Sequence, residues 1–126
     1  MRENRSNPDP GSSGMEVSMA TIARGRGIVT LINVFTVERD KQQKLVDVLI
    51  DATEHTMKSL PGFISASIHK SFDRTKVVNY AQWQRREDFD AMTRSPDARP
   101  HIQAAAALAQ FDPILCDVVD SIGLDG

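Results

Sequence analysis

The sequence predicts an α+β fold of the ferredoxin-like, split βαβ kind, an antiparallel sheet with its helices on one face. Three observations carry this. The periodic segments run strand, helix, strand, strand, helix, strand. The two middle strands are joined only by Asp73-Arg74-Thr75, short enough for a hairpin, so they pair as antiparallel neighbours. Val77 to Trp83 alternates as a two-faced strand does, with Val77, Asn79, Ala81 and Trp83 on one side and Val78, Tyr80 and Gln82 on the other.

Each element has its own signal. Residues 1–26 are rich in Arg, Asn, Ser, Pro and Gly and cannot bury enough apolar surface to offset the entropy of ordering, so they predict a flexible tail, native or an expression remnant. The folded domain is expected over 27–126. Ile28 to Val37 is β-branched and alternating and predicts the first strand, with Asn33, Phe35 and Val37 on one face. From Asp40 the period becomes helical, with Leu45, Val48, Leu49 and Ala52 on one stripe. Asp40 is the expected N-cap and Pro61-Gly62 the stop, giving a helix over about 41–58.

Phe63 to Ser71 predicts the second strand, with Phe63, Ser65, Ser67 and His69 on one face and Ile64, Ala66 and Ile68 on the other; Lys76 to Gln84 is the third. Phe89 and Met92 at helical spacing predict a short helix over 87–93, broken before Pro96. An Ala-rich helix is expected over 97–110, with Pro100 in its first turn, and a last strand over 113–122.

The 126 residues suffice for one domain, with no room for a separate cofactor-binding domain. A net charge of -2, from 15 basic and 17 acidic residues, offers no footprint for nucleic acid or an anionic membrane. No apolar run nears the roughly 18 residues of a membrane span, and no signal peptide is evident, so the cytoplasm is the expected compartment. The single Cys116 lies in an apolar run and is expected to be buried and inert. The sheet face away from the helices is also apolar, which predicts face-to-face homodimerisation. Tyr80 fits that surface better than a catalytic role.

Pro61-Gly62-Phe63, the strand Ser65-Ala66-Ser67-Ile68-His69 and above all Val77-Val78-Asn79-Tyr80-Ala81-Gln82-Trp83 resemble the antibiotic biosynthesis monooxygenase family over about residues 28–123. The likeness points to the small quinone-forming monooxygenases of aromatic polyketide pathways. It implies a dimeric α+β barrel, no metal, flavin or haem, O2 as co-substrate, and a pocket between sheet and helices for a flat polycyclic phenol or anthrone. Asn79 and Trp83 match positions that contact the substrate's oxygens. The chain departs from that pattern at Phe89, where a Tyr is expected six residues after the Trp, and at Gln103, the position nearest an expected helical Arg.

Cofactor-free oxygenation needs a base, donors for a developing oxyanion and a dry cavity. Asn79 and Trp83 are same-face donors, and the candidate bases in order are His69, His101 and His55, because an ordinary histidine titrates near neutrality. Asn33, Phe35, Phe89, Met92 and His101 are the expected substrate-binding residues. Each has a plainer alternative: Trp83 as a core residue, Asn79 and Asn33 as locally satisfied amides, His69 as a solvated group near the hairpin. Three rival functions remain: a haem-degrading monooxygenase, disfavoured because Thr93 stands where a His ligand is needed; a cofactor-free isomerase or decarboxylase of small carbonyl compounds; and a non-catalytic dimer that binds a hydrophobic metabolite. The three His and one Cys are scattered without metal-ligand spacing.

Overall fold

A computed structural model describes residues 27–123, so the tail expected over 1–26 lies outside the described residues. The elements are β1 (Val29–Val37), α1 (Gln42–His55), β2 (Phe63–Lys70), β3 (Lys76–Trp83), α2 (Arg86–Thr93), α3 (Arg99–Leu108) and β4 (Ala109–Cys116), all within the unit Gly27–Asp117. The sheet is antiparallel in the order β2-β3-β1-β4, the split βαβ arrangement expected from the sequence.

Helix α1 begins without the cap expected from Asp40. That residue lies in a 3-10 turn, Arg39–Lys41, whose own backbone bond from Lys41 N–H to the Glu38 carbonyl (2.8 Å) closes the helix start. Gln42 then anchors the helix to the sheet: its buried amide donates to the carbonyls of Ser71 (3.1 Å) and Lys76 (2.9 Å) at the base of the β2–β3 hairpin. The helix also stops earlier than expected. Thr56, at φ -134 and ψ -62, leaves helical geometry, and Met57–Ser59 tighten into a second 3-10 turn.

The hairpin is held by Asp73. Its carboxylate accepts from the Thr75 N–H (3.0 Å) and from the hydroxyls of Ser71 and Thr75 (both 2.7 Å), which lowers its pKa to about 2, while Arg74 takes the left-handed conformation at φ 68.

Strand β2 contains an irregularity that the sequence concealed. Phe63 pairs with Trp83 while Ala66 pairs with Ala81, and the extra residue between them is a bulge. It moves Phe63 from the face of Ser67 and His69 to the face of Ala66. The last strand begins four residues earlier than expected, at Ala109, which turns to φ -154 and ψ 156 directly after α3. Pairing with Thr30–Val37 of β1 overrides the helix propensity of the Ala run there. Pro113 is tolerated because β4 is an edge strand and needs no donor on its free side. Cys116, expected to be buried, is half-exposed at the end of that edge.

The core fills one end of the space between sheet and helices. Phe35, Val37 and Val77 from the sheet meet Leu45, Val46 and Leu49 from α1 and Ala105 from α3, and Leu45 and Val77 are fully buried. Helix α2 is seated by a close approach: Gly62, at φ 82, lies against the Asp88 carboxylate, which Arg85 grips through Nε (3.2 Å) and Nη2 (3.1 Å). A Cβ at Gly62 would collide with that carboxylate. On the other side of the sheet Val34, Val78 and Tyr80 are half-buried, and Gln82 donates to the Thr30 hydroxyl at 3.3 Å.

Candidate active site

The other end of the inner sheet face is hollow. A cavity of about 330 Å³ lies between the sheet and the three helices, walled mostly by apolar and aromatic side chains. Its floor is set by register. One row across the sheet reads Ile68, Asn79, Asn33 and Pro113, and the next reads Ala66, Ala81, Leu31 and Leu115. Because Ala66 and Ala81 are small, the floor is low in the second row, and the polar groups of the first row border the space it leaves.

Asn33 and Asn79 face each other across β1 and β3, and both line the cavity. Their Oδ1 atoms are buried without a hydrogen-bond partner among the described residues. Buried amides in a solid core are nearly always satisfied, because an unmade hydrogen bond costs about 1–3 kcal/mol. Here two adjacent ones border a cavity instead.

Trp83 is buried at 2% exposure, with its indole edge-on to Phe63 (centroids 5.5 Å, 89°) and near Phe89 (6.5 Å, 73°). These two rings fix its plane. No hydrogen bond joins its Nε1–H to another described residue. Phe89 lacks the hydroxyl of the expected Tyr, yet it supports the Trp ring from α2.

Of the residues singled out in the sequence, Asn33, Phe35, Asn79, Trp83, Phe89, Met92 and His101 all line this one cavity. His69 does not. It pairs with Val78, on the opposite face of the sheet, and is exposed, its Nε2 lying 3.1 Å from the Ser67 hydroxyl. His101, the second candidate from the sequence, is the only titratable side chain among the described residues that lines the cavity, and its Nε2 is 2.9 Å from Thr56 Oγ1. His55 is exposed and paired with Asp51 (2.8 Å), and Gln103 is exposed on α3 outside the lining.

Several lining residues escaped sequence reasoning. Phe63 was hidden by the bulge. Phe111, whose ring lies 5.5 Å from that of Phe35, fell in a stretch read as the link between helix and strand. Thr53 gave no signal because it is polar, although it follows Leu49 by one helical turn, and Met57 lies beyond the end of α1. Among the described residues no three His, Cys, Asp or Glu side chains come together as a metal site.

A sheet of this topology over an aromatic cavity with open amides defines a class, and the family comparison agrees: residues 28–108 match the antibiotic biosynthesis monooxygenase model, and the chain belongs to that family. It is therefore an oxidoreductase of the monooxygenase kind. The chain is 43% identical over 105 residues to the tetracenomycin-F1 monooxygenase of Streptomyces glaucescens, covering 83% of this chain and 94% of that one. Among solved structures it resembles the monooxygenase from the gene ActVA-Orf6 of Streptomyces coelicolor in complex with nanaomycin D, at 27% identity and TM-score 0.70, over 79% of this chain and 93% of that one. The fold is also that of SnoaB, a cofactor-independent oxygenase of Streptomyces nogalater, at 24% identity and TM-score 0.70, over 76% and 97% of the two chains.

Proposed function

We propose that this monooxygenase oxidises a polycyclic phenol or anthrone of the aromatic polyketide kind with O2, to a quinone and water, without an external cofactor. The observation that carries the reading is the pair of buried amide oxygens of Asn33 and Asn79, left without a partner among the described residues, beside Trp83 in an otherwise largely apolar cavity. A flat phenolic substrate supplies what those groups lack: hydroxyls to donate to the amide oxygens, and carbonyl or phenolate oxygens to accept from Asn79 Nδ2 and Trp83 Nε1. The relatives' names support the same class, since one is a tetracenomycin-F1 monooxygenase and another was solved with nanaomycin D.

The chemistry balances without a bound redox group. His101 removes a proton from the reacting CH2 carbon. The resulting electron-rich anion passes one electron to O2, and the radical pair recombines to a C–O–O bond that is protonated to a hydroperoxide. Loss of the second C–H proton together with hydroxide gives C=O and H2O, so CH2 and O2 become C=O and water. The protein contributes the base, donors for the enolate oxygen, and exclusion of bulk water. The cavity of about 330 Å³ sits at the small end of single-ligand sites, which argues for one polycycle rather than substrate plus flavin. Among the described residues its walls carry no Lys or Arg to hold a flavin phosphate.

Two lesser parts of the proposal go with it. The half-buried Val34, Val78 and Tyr80 face would pair with a second copy, and a stable monomer by light scattering at micromolar concentration would count against this. The working compartment is the cytoplasm; among the described residues no helix is long and apolar enough to cross a membrane.

The decisive experiment is O2 uptake by chelator-treated protein given an anthrone or a dihydroxynaphthalene, with 18O2 to follow oxygen into the product. One labelled oxygen in the quinone is expected. Tight binding of the polycycle with no O2 uptake would instead establish the metabolite binder.

A further inference from the structure

We infer that Thr56 is a positioning residue for His101, accepting the Nε2–H of the ring and so leaving the Nδ1 lone pair as the basic atom. The inference rests on the reading of His101 as the base of the proposed oxygenation. The two side chains are 45 positions apart in the chain, and their approach, Oγ1 to Nε2 at 2.9 Å, is made only by the packing of the end of α1 against α3.

Thr56 is well placed for this. It is the residue at which α1 breaks, and its backbone is tied on both sides: its N–H donates to the Ala52 carbonyl (3.0 Å) and its carbonyl accepts from Ser59 N–H (3.1 Å). Its side chain therefore projects from a fixed point. His101 has no other side-chain hydrogen bond among the described residues, so Nδ1 is left without a partner among them.

The direction of the bond follows from what a base must do. A hydroxyl can donate to a ring nitrogen or accept from one. If Thr56 donated to Nε2, the neutral ring would carry its proton on Nδ1 and have no free lone pair; gaining a proton would first require the hydroxyl to turn round. If Thr56 accepts, Nδ1 is free in the neutral ring. The same Nε2–H to Oγ1 bond then persists when Nδ1 takes the substrate's proton, with no reorganisation at the moment of transfer. The similar pair Ser67–His69 is exposed on the other side of the sheet and does not line this cavity.

The test uses the full chain and two substitutions, Thr56→Val and Thr56→Ser, with two readouts. Imidazole 15N NMR of the unmodified protein should show His101 as the Nε2–H tautomer, and Thr56→Ser should keep it. In Thr56→Val the tautomer should shift toward a mixture. In O2-uptake assays Thr56→Val should lower kcat by about tenfold with KM changed less than about twofold, and Thr56→Ser should restore most of the rate. An Nδ1–H tautomer in the unmodified protein, or a tautomer and kcat unmoved by Thr56→Val, would overturn the inference. Absence of O2 uptake in the unmodified protein would be a failure of the oxygenase reading instead, and the tautomer would still decide the Thr56–His101 pairing.

Discussion

The two halves of the inner sheet face are built from the same strands and covered by the same helices, yet one is solid and the other hollow. In the solid half Val77 and Phe35 lie opposite each other and Leu45 packs with them in the buried core. Two residues along, Val77 is succeeded by Asn79 and Phe35 is preceded by Asn33. A further step brings Ala81 and Leu31, and the space above them is not filled. The change from large apolar residues to amides and alanines leaves a cavity beside a packed core. One half holds the buried cluster, while the other leaves the Asn33 and Asn79 Oδ1 atoms without a partner among the described residues.

That division can be broken from either side. The largest effect is expected from Leu45→Ala, which empties a fully buried position in the solid half and should cost about 2–5 kcal/mol in urea unfolding. Less than about 1 kcal/mol would mean that this half is not the core. In the hollow half, Asn79→Ala and Trp83→Phe should each slow O2 consumption by about tenfold or more, corresponding to about 1.4 kcal/mol per donor lost. Unchanged rates in both would remove the assigned roles.

A smaller and opposite signature is expected from Asn33→Leu. Removing an amide whose oxygen has no partner should leave stability within about 1 kcal/mol of the parent, or raise it, while activity falls. A loss above about 2 kcal/mol would show that the amide is satisfied in solution. The smallest effect belongs to the hairpin, outside both halves. The Asp73 pKa is about 2 in the folded chain against 3.8 ordinarily, so its contribution is present above about pH 4 and is lost as pH falls toward 2. Asp73→Ala should therefore lower Tm slightly at pH 7, and the difference should vanish near pH 2; a constant difference would rule out the carboxylate as its source.

Much of this was legible in the residues. Alternation over Val77–Trp83 correctly grouped Asn79, Ala81 and Trp83, and β1 likewise offered Asn33 and Phe35, because a strand's period of 2 is fixed by backbone geometry. The family likeness was carried by the same stretch. The errors arose where one local rule met a competing contact. Parity assigned Phe63 to the face of His69, and a single bulge reversed it. Alanine's helix propensity extended α3 over Ala109, and pairing with β1 ended it. Asp40 looked like a cap, but the preceding turn closed the helix start by itself.

By itself, then, the sequence determined the order of elements, the antiparallel hairpin and which side chains share a strand face, since these follow from short-range periodicity and turn length. It could not determine which face the helices would cover, and so ranked His69 ahead of His101. Tertiary packing placed His101 in the cavity lining and left His69 on the opposite, exposed face. The hollow itself is likewise a tertiary property, because an alanine in a strand leaves a void only when the elements above it are held apart by the larger side chains of the neighbouring core.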